Sequence, residues 1–190
     1  MLQLELTSKD LSFLSPLWQL GVEMDVRTGT TIRDILCRQV GIDDAYLDER
    51  IQTLFLNGKA IDDPDKAMVA DKSTIALSAA MPGLAGATLR KGGSYASFRK
   101  AITDAACAVA ADAHQQGTIT LKLFNFIAQE LAPILLRYGV KVEADALLAA
   151  LKASRPEFPS IHPPGQSCRN LSELEAAIQG HRQLLLHLCT

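Results

Sequence analysis

The segment Gly83-Leu84-Ala85-Gly86-Ala87-Thr88-Leu89-Arg90-Lys91-Gly92-Gly93 holds the residue types best suited to chemistry. Glycines let backbone N–H groups converge on a ligand with no side chain in the way, and Arg90 and Lys91 add positive charge. Ser94 follows as a candidate N-cap, which sets the free N–H groups of a helix start beside them. Arg90, Lys91, Gly92, Gly93 and Ser94 are therefore the candidate anion-binding residues, for the phosphate or carboxylate of a small molecule. Their spacing is not that of a phosphate-binding loop, which needs Gly-Lys-[Ser/Thr] after four intervening residues, nor that of a Gly-x-Gly-x-x-Gly turn. A flexible connection into the next helix accounts for the same glycines.

The other reactive types are scattered. His114, His162, His181 and His187 form no short ligand pair, and His181 and His187 stand about 240° apart on the helix expected there. His162 and Cys168, with Arg169 nearby, have the residue types of a Cys–His nucleophile in a proline-rich loop, where an ordinary surface loop is the simpler reading. No catalytic residue is assigned, and a Gly-x-Ser-x-Gly nucleophile turn is lacking. Asp62, Asp63 and Asp65 look like a piece of a calcium loop without its glycine and closing glutamate, and read as a polar turn. Cys37, Cys107, Cys168 and Cys189 are far apart with no Cys-x-x-Cys, which speaks against a disulfide framework, a zinc site or a ferredoxin cluster. The expectation is a reduced, cytoplasmic protein with no metal and no cofactor.

Composition narrows the class. A chain of 190 residues, 48% hydrophobic and 21% charged, is long enough for a real core and is neither disordered nor fibrous. The net charge of −2 is unevenly spread: residues 41–71 carry eight acids against three bases, and residues 72–103 carry five bases and no acid. That acid-free run suits a small anionic partner. Nucleic-acid binding is not expected, because the acidic first eighty residues offer only Phe13, Trp18, Tyr46 and Phe55 as aromatics. The N-terminus alternates like a strand and lacks the basic start and apolar core of a signal peptide. The most apolar stretch, 119–136, includes Lys122, Asn125, Gln129, Glu130 and Pro133, too polar a load for a membrane span.

Periodicity places these residues on elements. Leu2, Leu4 and Leu6 alternate with Gln3, Glu5 and Thr7 as a half-buried strand, and Val22, Met24 and Val26 repeat the pattern as its expected antiparallel partner. Thr30 or Thr31 caps a helix whose face is Ile32, Ile35, Leu36 and Val40. Strands follow at 51–56, 59–61 and 74–77, with Asn57-Gly58 as a tight turn. Beyond Gly93 the period becomes helical: one helix from Ser94, a second over 120–138 with Leu121, Phe124, Ile127, Leu131 and Leu135 on its face, and a third over 144–153. A fourth opens with the capping box Asn170-Leu171-Ser172-Glu173 and continues past Gly180 through Leu185 and Leu188.

Strand, strand, helix, strand, short strand, strand is the order of a β-grasp. Gly29-Thr30-Thr31-Ile32-Arg33-Asp34-Ile35-Leu36 resembles the helix opening of the small sulfur carriers of thiamine and molybdopterin synthesis. Phe55-Leu56-Asn57-Gly58-Lys59 and Asp71-Lys72-Ser73-Thr74-Ile75-Ala76-Leu77 resemble their Val-Asn-Gly turn and last strand, so the likeness covers residues 1–93. It implies a ubiquitin-like fold whose carrier terminus is Gly92-Gly93, working through a free carboxylate. Here Gly93 is bonded to Ser94, so a carrier use requires cleavage after Gly93.

The expected fold is α+β: an N-terminal ubiquitin-like β-grasp (1–80), a Gly-rich basic connection (81–93) and a helical domain (94–190) bundling about four helices. The expected function is a non-catalytic protein-interaction module built on that β-grasp. The alternatives are a sulfur- or acyl-carrier-like protein cleaved after Gly93, and a small-anion-binding protein or enzyme. The apolar run Leu184-Leu185-Leu186-His187-Leu188-Cys189 has to dock into the bundle or against a second subunit, so the expected partner is a protein or a second copy, with no membrane.

Overall fold

The computed structural model describes residues 1–8, 10–79, 115–153 and 159–189. Arg90, Lys91, Gly92, Gly93 and Ser94, the helix expected from Ser94 and His114 lie outside the described residues. The strands are β1 (Leu2–Thr7), β2 (Val22–Arg27), β3 (Thr30–Thr31), β4 (Thr53–Leu56), β5 (Lys59–Ala60), β6 (Met68–Val69), β7 (Thr74–Ser78), β8 (Gln116–Phe124), β9 (Val140–Glu143), β10 (Ser160–His162) and β11 (Gln183–Leu188). The helices are α1 (Ser15–Leu20), α2 (Phe126–Tyr138), α3 (Ala144–Ala153) and α4 (Leu171–Ile178), with helical turns at Ser12–Leu14, Asp34–Gln39 and Tyr46–Arg50. The mixed sheet order is β10-β1-β11-β9-β2 among the strands of Met1–Glu23 and Gln129–Thr190, and β8-β7-β4-β5 within Met24–Ala128, where β3 and β6 pair separately.

This overturns the expected β-grasp followed by a four-helix bundle. Four strands, β8 to β11, lie in the part of the chain read as helical. The physical reason is visible at β8. Ile119, Leu121 and Leu123 are buried at a period of two, while Leu121, Phe124 and Ile127 also satisfy a helical period. Asn125, at φ 58°, ends the strand, and helix α2 starts only after it. Gly180, at φ 84°, likewise ends the last helix region, so Leu185 and Leu188 belong to a strand. β1 and β2 do not pair with each other: β1 lies between β10 and β11.

The chain divides into two compact units, Met1–Glu23 with Gln129–Thr190, and Met24–Ala128. In the second unit the expected elements from 24 to 78 form largely as read. Thr31 Oγ1 accepts from the Asp34 N–H at 3.2 Å, which is the anticipated cap, and Ile32, Ile35 and Leu36 are fully buried. From Asp34 to Gln39 the helix widens into i→i+5 bonding, closed by the Val40 N–H donating to the Ile35 carbonyl at 3.0 Å. β4 and β5 form a hairpin through Asn57 (φ 51°) and Gly58 (φ 78°), the two left-handed residues that a type I′ turn requires. The strand lying parallel beside β7 is β8, in register from Thr74↔Thr120 to Ser78↔Phe124. Residues 79–115, the Gly-Gly included, therefore connect two neighbouring parallel strands of this unit.

The first unit pairs β1 parallel to β11 and antiparallel to β10, with β9 antiparallel on the far side of β11. Leu4, Leu6, Ile161, Leu184, Leu186, Val140 and Val142 are buried at alternate positions. Helix α3 packs against α1, the Ser12–Leu14 turn and α4, where Leu14, Leu17, Trp18, Leu147 and Leu174 are buried. Asn170 caps α4 by accepting the Glu173 N–H at 3.0 Å, as its capping sequence predicts. The terminal leucines are used inside the chain: β11 lies between β1 and β9, and neither a bundle nor a second subunit is needed to hold them.

Candidate functional site

Three clusters of the second unit have the geometry of a site. The first is a polar corner where β8 begins. Thr118 N–H donates to Asp71 Oδ1 at 2.8 Å and its hydroxyl donates to Asp25 Oδ1 at 2.9 Å. The Thr28 N–H and hydroxyl both donate to the Gln115 carbonyl, at 2.8 and 3.1 Å. Asp25, Gln116, Gly117 and Thr118 are the described lining of an open recess of about 440 Å³ beside it. Gly117 is there for space: a Cβ on it would lie 2.7 Å from Thr28 Cγ2 and 2.8 Å from Asp71 Oδ1. Gly117→Ala is expected to cost about 1–3 kcal/mol by overpacking, read as a lowered urea midpoint with an unchanged slope. Each aspartate already accepts a bond from Thr118, so the corner locks the start of β8 in place rather than presenting a nucleophile or base.

The second cluster surrounds Arg33, whose side chain is only 14% exposed. It reaches Asp44 at 2.8 Å, Asp48 at 2.7 Å and Asp65 at 2.8 Å, using Nη1, Nη2 and Nε in turn. The guanidinium holds the Asp44 carboxyl below the ordinary carboxylate range, and these carboxylates push Arg33 further up, Asp48 and then Asp44 most strongly. Beside it the Cys37 thiol is pushed up to about 11, first by burial and then by the negative charge of Asp44. A thiol so disfavoured as thiolate is a packed residue, not a nucleophile. Asp65 of the polar turn serves Arg33, and Lys66 holds Asp63 low through a 2.8 Å ion pair.

The third is the turn between β8 and α2. Asn125 takes a left-handed conformation, and its Nδ2 donates to Ser78 Oγ at 3.1 Å on neighbouring β7. That fixes Phe124 and Phe126 on either side of it, 37% and 68% exposed. Two aromatic rings on a tight, hydrogen-bonded turn are rigid apolar surface left in water, the composition that interface centres favour. Reading this stretch as continuous helix put Phe124 on a buried face. Asn125 between two phenylalanines, at the end of the alternating Thr118-Ile119-Thr120-Leu121-Lys122-Leu123, was the signal for a turn.

The remaining sequence candidates separate. His162 donates from Nδ1 to the Pro163 carbonyl at 3.1 Å, burial and Glu173 raise the Cys168 thiol, and among the described residues no hydrogen bond joins the two. His187 is on β11 and His181 in the turn before it, so they share no helix. Among the described residues no helix is long and apolar enough to cross a membrane. Comparison with protein-family models, curated proteins and solved structures finds no match to the chain.

Proposed function

We propose that this chain is a protein-interaction module that docks a protein partner through the Phe124–Asn125–Phe126 turn. The observation that supports it is the exposure of both rings on a turn whose conformation is held by the Asn125–Ser78 bond. Apolar rings in a fixed geometry lose little entropy on binding, and buried aromatic anchors dominate binding energies at interfaces. The polar corner at Thr118 and the Arg33 cluster supply rigidity to the same unit rather than chemistry.

The test replaces Phe126 by a photo-crosslinking phenylalanine analogue in the full chain, in its native host. One discrete heteromeric adduct is expected, lost when Phe124→Ser is added and absent when the analogue replaces Leu20, an equally exposed residue of α1 at 65%. Identical adducts from positions 126 and 20, or none from 126, would overturn the reading.

Two other uses stay as proposals of lower rank. An anion site at Arg90, Lys91, Gly92, Gly93 and Ser94 rests on sequence alone. A sulfur carrier released by cleavage after Gly93 keeps its motif resemblance over 29–77, but the strand parallel to β7 comes from beyond the cut. A carboxylate freed at Gly93 would therefore belong to a fragment missing one of its sheet strands.

A further inference from the structure

A partner that docks at the Phe124–Asn125–Phe126 turn meets a charge as well as two rings. Lys122 stands two residues before Phe124 on β8 and alternates with the buried Leu121 and Leu123, so Lys122 and Phe124 project from the same face of the strand. Two strand steps separate them by about 7 Å. The register carries this face across the sheet: Lys122 lies beside Ala76 of β7, and Ala76 beside Phe55 of β4. All three are half-buried, and neither alanine nor phenylalanine offers the ammonium an acceptor.

Among the described residues the Lys122 ammonium has neither an ion pair nor a hydrogen bond. Arg33, Lys66, Lys152 and Arg182, by contrast, each reach a carboxylate. The local sequence supplies no partner either. Lys122 is the sole charged residue from Gln115 to Gln129, and no acidic side chain stands in the first turn of α2.

The size of an interface turns this into a statement about the partner. A specific interface covers about 800 Å² of each protein, a patch about 30 Å across. One centred on Phe124 therefore covers a group about 7 Å away. Covering an ammonium with apolar surface alone is costly, whereas a carboxylate brought against it offsets its lost hydration. We infer that the partner is a protein segment carrying an aspartate or glutamate that meets Lys122 while a large apolar side chain about 7 Å away covers Phe124. In an extended segment that is the spacing of residues i and i+2. The inference rests on docking at the turn and adds the partner's charge to it. A single cation does not suit a nucleic acid, whose binding neutralises several phosphates in a row.

The experiment uses the full chain with the photo-crosslinking phenylalanine analogue at position 126, irradiated in lysate of its native host at about 50 and about 500 mM salt. Adduct yield is expected to fall about fivefold at the higher salt. At low salt Lys122→Met, which keeps the stem, should lower it about fivefold and remove its salt dependence, and Lys122→Glu should lower it about tenfold. Lys122→Arg should retain it. Arg38→Glu, the same reversal at a side chain 68% exposed elsewhere in the unit, should leave it unchanged. Replacing the acid of the crosslinked peptide by lysine should restore the adduct of Lys122→Glu. The urea midpoint of each variant shows that it folds. Undiminished, salt-independent adduct from the Lys122→Met chain would overturn the inference while docking at the turn stood. An adduct digested by nuclease would overturn it too, and no adduct from position 126 would sink the docking reading itself.

Discussion

A chain ended at Gly93 is expected to be unfolded. It lacks β8, which runs parallel beside β7 through five registered pairs and buries Ile119, Leu121 and Leu123 to 1% exposure or less. Burying three such side chains contributes about 5–9 kcal/mol, comparable with the whole stability of a domain, about 5–15 kcal/mol. The same truncation removes β10 and β11 from either side of β1, whose Leu4 and Leu6 are fully buried in the intact chain. Far-UV circular dichroism and amide proton dispersion of residues 1–93 should show a disordered chain. A dispersed, cooperative fold would mean that the strands before Gly93 complete a sheet by themselves, and would return weight to the carrier proposal.

Replacing Arg33 by methionine is expected to destabilise the chain by about 2 kcal/mol, between the small value of an exposed ion pair and the 3–5 kcal/mol of a buried one. The intermediate figure follows from the asymmetry of the cluster: the guanidinium is 14% exposed, but Asp44, Asp48 and Asp65 are 67%, 52% and 58% exposed. Water screens the three carboxylates while the cation itself depends on them. Methionine keeps much of the stem's packing and leaves three like charges around an apolar side chain, so the loss reports on charge. The sign with pH is fixed by Asp44, whose folded pKa lies below the ordinary 3.8. Its contribution is fully present above that value and is lost as pH falls through the lower folded value. Urea unfolding of both chains should show the full difference at neutral pH and convergence at the acid end. A difference that grows on acidification would refute the assignment.

Local chemistry was legible where a few adjacent residues decide it. Asn57-Gly58 had to turn because both positions take positive φ, Thr31 had to cap because its hydroxyl meets the Asp34 N–H, and Asn170 with Glu173 marked α4. The last helix and last strand illustrate the limit. Leu184, Leu185 and Leu186 are consecutive leucines with no period in sequence, and the strand alternation shows only in their burial, complete at Leu184 and Leu186 and partial at Leu185. The stretch from Ile119 to Ile127 fitted both periods, a strand through Ile119, Leu121 and Leu123 and a helix through Leu121, Phe124 and Ile127, and the choice fell to whether an edge of β7 was waiting to be paired.

The sequence by itself determined the strands Val22–Arg27, Thr53–Leu56, Lys59–Ala60 and Thr74–Ser78 and the capped helix between the first two, because caps, turns and alternation act over a few bonds; it did not show Thr30–Thr31, Tyr46–Arg50 or Met68–Val69 as elements. It also determined that Gly92-Gly93 sits inside the chain, bonded to Ser94. Only the tertiary structure decided which strands are neighbours. Strand pairing joins residues far apart in the chain, and nothing local to Glu5 announces His162 or His187, more than 150 positions away. For the same reason the Gly-rich connection, read from the sequence as joining a β-grasp to a helical domain, lies between two neighbouring strands, β7 and β8. The parallel register of β7 with β8 is set by what the sheet can bury, and only the folded chain brings those residues together.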